Sequence, residues 1–182
     1  MATKMSMQTP QDLFIHELSD MLSAEQIIVE MLREASGVVS HPELKQGLTA
    51  HLTESEQQAR NIEQIFSQMG AKPHPVTCHA AQGLRQSLQD GLAATPSAQV
   101  IDGLVTGGAI KTEHLEIAGY TCLIEKAQAM GQTEAVTLLQ QNLAGEEKTL
   151  QKLQTISQQL TQQAAMSMQG AASGMQQGAS AQ

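Results

Sequence analysis

Tryptophan is absent from this chain of 182 residues, and its only aromatic side chains are Phe14, Phe66 and Tyr120. A surface that binds nucleic acid by stacking bases on aromatic rings is thereby excluded. Basic residues are also scarce. Ten Lys and Arg face 18 Asp and Glu, the net charge is −8, and no basic cluster occurs anywhere. Phosphate backbones need such a cluster, so no nucleic-acid partner is expected. There are only two cysteines, Cys78 and Cys122, far apart and without CxxC or Cys/His spacing. Neither a structural zinc site, a disulfide framework nor a cysteine nucleophile is indicated. No apolar run approaches the roughly 18 residues of a membrane span, and the opening MATKMSMQTPQ lacks the apolar core of a signal peptide. The chain therefore reads as soluble and cytoplasmic, with no membrane partner.

What is plentiful is Leu, Ile, Ala, Gln and Glu, a helical vocabulary, and no β-branched alternating run reads as a strand. Residues 1–9 read as a flexible start. Pro10 opens a first helix that should stop at Ser36-Gly37. A second begins near Pro42 and should end at Met69, before Gly70, Pro73 and Pro75. Residues 71–96 form a long crossover with a short helix around Ala80–Leu92. A third long helix spans about Ser97 to Met130, and a fourth about Thr133 to Leu160. Residues 162–182, rich in Gln, Ala, Ser, Gly and Met, lack apolar bulk and read as a low-complexity, disordered tail. The expected fold is all-α. Two antiparallel hairpins joined by a long crossover with a fifth short helix make a ferritin-like four-helix bundle over residues 10–161.

Three glutamates sit where carboxylates should not be. At 100° per residue, Leu18, Met21, Leu22, Ile28, Val29 and Leu32 fall within about 60° of Glu25. Ile110, Ile117, Tyr120, Thr121 and Ile124 surround Glu113 in the same way, and Leu139, Leu143, Leu150 and Leu153 surround Glu146. Burying an ionised carboxylate costs several kcal/mol or forces it to take a proton. Cations between the helices resolve the cost in all three at once. The second helix adds His51 and Glu54, an i,i+3 pair, and Glu116 flanks Glu113 on the third. The candidate metal ligands are therefore Glu25, His51, Glu54, Glu113, Glu116 and Glu146. Such oxygen-rich sets with some nitrogen suit a pair of iron or manganese ions. The competing reading is a metal-free network of these groups with Gln and Tyr120, sharing protons. Tyr120 reads as a plain buried tyrosine, with a hydrogen bond to a ligand carboxylate or a redox role as the alternative. His114 reads as a structural or interface residue, with a partner role to a carboxylate as the alternative. His16, His41, His74 and His79 read as surface residues.

The segments DLFIHELSDMLSAEQ (12–26), HLTES (51–55) and KTEHLEIAGY (111–120) resemble the YciE/YciF family of ferritin-like bacterial proteins. The resemblance covers about residues 11–160 and implies a ferritin-like bundle, a homodimer and a link to bacterial stress, with iron or peroxide handling suggested. A more distant likeness to rubrerythrin-type sites implies Glu25, Glu54, Glu113 with Glu116, and Glu146 as ligands. The sequence departs from that pattern at Gln57 and Thr149, where histidines are expected, and it carries no rubredoxin-like cysteine set. Any reductant is then an external electron donor, and any catalysis is of the di-iron peroxidase, catalase or ferroxidase type. The alternative is a non-enzymatic structural or interaction homodimer that keeps a buried carboxylate network.

Overall fold

A computed structural model describes residues 7–179, with side chains through Gln169. Its five helices are α1 (Pro10–Val38), α2 (Pro42–Gln68), α3 (His79–Ala93), α4 (Ala98–Ala129) and α5 (Thr133–Ala179). There is no strand among the described residues.

The helix ends follow local chemistry. Thr9 and Asp12 form a reciprocal capping box around Pro10, with Asp12 N–H donating to Thr9 Oγ1 (3.1 Å) and Thr9 N–H to Asp12 Oδ2 (2.9 Å). Gly37 does not end α1; the helix runs one residue beyond it to Val38. His41, expected at the surface, is half-buried and caps α2 by accepting the Leu44 N–H at its Nδ1 (3.4 Å). Gly70 and Gly131 adopt φ of +61° and +69°, the left-handed turn that glycine takes without a Cβ penalty. The fourth long helix does not end near Leu160 but continues to Ala179. No proline interrupts the run, and the helix continues although Leu160 is the last buried side chain described. The first six residues of the expected flexible start lie outside the described residues.

α1 and α2 form one hairpin, α4 and α5 the other, and α1 packs on α4 while α2 packs on α5. Asp102, near the start of α4, meets the turn that ends α1. It accepts from Ser40 N–H (2.8 Å), Ser40 Oγ–H (2.7 Å) and His41 N–H (3.1 Å). α4 must therefore start at the end of the bundle where α1 finishes, opposite the end of α2. The crossover that includes α3 spans that length. Arg85 on α3 ties it down through Glu30 and Glu34 of α1. This is the ferritin-like arrangement of a four-helix bundle, with one long crossover. It places Glu25, His51, Glu113 and Glu146, one from each long helix, in the interior.

Candidate metal centre

Every long helix turns polar at its middle. Glu25, Glu113, Glu116 and Glu146 have no solvent exposure, and His51 retains 2%. His51, Glu113, Glu116 and Glu146 each offer a ligand atom, and these atoms lie within 4.8 Å of one another. The imidazole of His51 stands between two helices, with Nδ1 3.2 Å from Glu113 Oε1 and Nε2 3.3 Å from Glu146 Oε2. Neither approach makes a hydrogen bond, so both ring nitrogens lack a hydrogen-bond partner. Both oxygens of Glu113 and both of Glu116 likewise lack a hydrogen-bond partner, as do Glu25 Oε2 and Glu146 Oε2. Buried polar atoms are normally satisfied. A concentration of orphaned carboxylate oxygens and imidazole nitrogens around one point is what a cation would satisfy, and hard oxygens with one nitrogen suit iron or manganese.

The electrostatics agree. Burial first, and then the neighbouring Glu146, push the Glu113 carboxyl up to about 10, with Glu25 and Glu54 adding to it. Burial also raises Glu116 well above the usual carboxylate range, reinforced by Glu146, Glu25 and Glu113. Glu25 is raised by burial and by Glu146, against the pull of the Tyr120 hydroxyl. Without a cation these groups hold their protons at neutral pH.

Two of the six expected ligands stand apart from the compact group of four. Glu25 accepts a hydrogen bond from Tyr120 Oη, so Tyr120 is bonded to the carboxylate cluster and is more than a packed ring. Asn142 Nδ2 in turn donates to Tyr120 Oη (3.0 Å), and Asn61 Nδ2 donates to Asn142 Oδ1 (2.7 Å). Glu54 is only half-buried and accepts from Thr149 Oγ1 at 3.3 Å. Gln58 donates to Glu146 Oε1. The sequence reading overlooked Asn142, Asn61 and Gln58, because amides on amphipathic helices look like solvated face residues. Their one signal is position on the arcs of His51 and Glu146.

The departures from the two-histidine pattern also resolve geometrically. Gln57 is exposed and bonds Asn61 and Arg60, so position 57 faces away from the cluster. His51, six residues earlier, is the α2 nitrogen that faces in. Thr149 is buried and faces Glu54, offering a hydroxyl where nitrogen was expected. His114 is exposed.

Comparisons with known proteins agree with this architecture. Residues 9–166 match a domain of unknown function, DUF892. The chain is 35% identical over 150 residues to protein YciF of Escherichia coli strain K12, covering 82% of this chain and 90% of that protein. The crystal structure of the E. coli stress protein YciF superimposes with a TM-score of 0.82 at 32% identity, over 86% of this chain and 99% of that one. YcfI of Rhodopseudomonas palustris gives a TM-score of 0.79 at 34% identity, over 85% and 98% of the two chains. A ferritin-like, diiron-carboxylate protein of Bacillus anthracis shares the fold alone, with a TM-score of 0.62 at 17% identity over 83% and 99%. Among the described residues, no helix is long and apolar enough to cross a membrane.

Proposed function

The chain belongs to the YciE/YciF family, matched as DUF892, and on that premise we propose that it is a di-metal carboxylate protein handling iron, O2 or peroxide under bacterial stress. The carrying observation is the buried group of His51, Glu113, Glu116 and Glu146, whose ligand atoms converge within 4.8 Å while most lack a hydrogen-bond partner. These four would hold the metal, with Glu25 and Glu54 completing a second position from α1 and α2. Bound iron or manganese would supply one-electron redox chemistry toward an oxidant.

The protein's own groups do the rest. Glu25, Glu113 and Glu116 shed the protons that burial otherwise keeps on them, so metal uptake releases protons and tightens as pH rises. Tyr120 fixes one oxygen of Glu25, and Asn142 holds the tyrosine hydroxyl. Gln58 orients Glu146 from the second helix. The apolar stripes around the centre exclude water. With no cysteine-based electron carrier in the chain, reduction comes from an external donor, and the working unit is a homodimer in the cytoplasm.

A non-enzymatic reading is favoured by one observation: the site presents a single imidazole where two histidine ligands are usual. In that case Glu25, Glu113 and Glu116 stay protonated and the chain serves as a structural or interaction dimer. Metal content per chain separates the two. Protein purified without chelator, or loaded anaerobically with ferrous iron, should carry about two ions per chain as di-metal bundles do, and Glu113→Ala/Glu146→Ala should carry none. Near-zero metal in the loaded wild type would refute the metal reading.

A further inference from the structure

A centre whose inner ligands are buried needs a way in, and the bundle offers one. Of the six candidate ligands Glu54 alone is only half-buried, while the other five are buried. A small hollow between α2 and α5 is lined by Gly47, His51, Glu54, Thr149 and Lys152, among others, and encloses about 10 Å³. That is the space of about one water molecule. The hollow touches both the half-buried carboxylate and the inner imidazole. By contrast, the larger hollow between α1 and α4, about 470 Å³ and lined by residues such as Met21, Ala118 and Leu123, is bordered by none of the six.

We propose that this α2–α5 cleft is the port through which a divalent cation reaches the buried carboxylates, with Glu54 as the ligand that receives it and passes it to His51; the inference rests on the metal reading above. The chemistry of the lining fits that task. Glu54 has one weak restraint, the Thr149 hydroxyl at 3.3 Å, so it can turn between the mouth and the centre. Its carboxylate gives an ion that is shedding water an anionic oxygen before the inner ligands are reached. Gly47 leaves the wall open, since a Cβ there meets nothing within 4 Å. Lys152 lies exposed along the same lining, and its charge opposes an incoming cation, which makes the rate of uptake depend on it.

The test is manganese(II) uptake by the full chain, followed by quenching of Tyr120 fluorescence. Tyr120 is the sole tyrosine in a chain without tryptophan, and it is bonded to Glu25. Metal content at the end point is measured alongside. Gly47→Leu should close the wall and slow uptake by about tenfold or more, given how little slack a packed interior has, with the final metal content unchanged. Glu54→Gln should slow uptake as well. Lys152→Glu, a surface change with no folding burden, should speed uptake about threefold at low salt, and the gain should fade as salt is added. Ala118→Leu in the α1–α4 hollow should leave the rate unaltered. Unchanged rates in Gly47→Leu and Lys152→Glu, or slowing by Ala118→Leu instead, would overturn the port. A wild type that takes up no metal at equilibrium would instead overturn the metal reading itself.

Discussion

An ionised carboxylate taken out of water loses several kcal/mol of solvation, and Glu113 meets that loss together with the charge of Glu146 beside it. Its proton is therefore held to about 10 in the folded, metal-free protein, against about 4.3 in an unfolded chain. The folded state then binds more protons than the unfolded one between those values, so stability falls as pH rises through that window. Metal-free protein should be more stable at pH 6 than at pH 9. Glu113→Gln should remove up to about 1.4 kcal/mol per pH unit of that slope, read by denaturant unfolding with a chelator present. An unaltered slope in Glu113→Gln would mean that its proton is not the one being lost. Helical angle made Glu25, His51, Glu113 and Glu146 legible in the sequence, because each interrupts or joins an apolar arc. It could not show that Tyr120 bonds Glu25 or that Asn142 bonds Tyr120. Those pairings depend on which helices face each other and at what height, and spacing within one helix carries neither.

Between residue and bundle, the turns decide where each helix begins. Pro10, Pro42, Gly70 and Gly131 mark boundaries that were readable because their backbone chemistry is local. Gly37 misled because a glycine can sit within a helix when the packing of Ala35 and Val39 carries the chain past it. Asp102 was invisible for the opposite reason: its partners are 61 and 62 residues away. The Ser40 hydroxyl and backbone N–H and the His41 N–H hold its carboxyl below the usual range despite burial, which alone would raise it. Asp102→Ala deprives three donors at the α1–α2 turn of their acceptor. The variant should lose about 2–3 kcal/mol of unfolding free energy, and Asp102→Asn less, in chemical denaturation. A loss under about 0.5 kcal/mol, the usual size for a surface substitution, would show that the turn holds without this junction.

For the molecule as a whole, the core ends at Leu160, before the described side chains do. Side chains 161–169 are exposed apart from the half-buried Ala164, although the helix continues through them. The low apolar bulk of this tail was readable from composition; its helical backbone was not, since propensity alone seldom sustains an unpacked helix. Deleting residues 167–182 should change unfolding free energy by less than about 1 kcal/mol, and a larger loss would mean that the tail packs on something. The bundle itself brings four mid-helix positions to one point, and the central claim is that metal occupies it. Anomalous diffraction from crystals grown with manganese or iron, collected at the metal edge, tests this most directly. The account predicts anomalous density among His51, Glu113, Glu116 and Glu146, with a second position toward Glu25 and Glu54. Crystals soaked to saturation that show no density there, with the glutamates paired through shared protons, would contradict it.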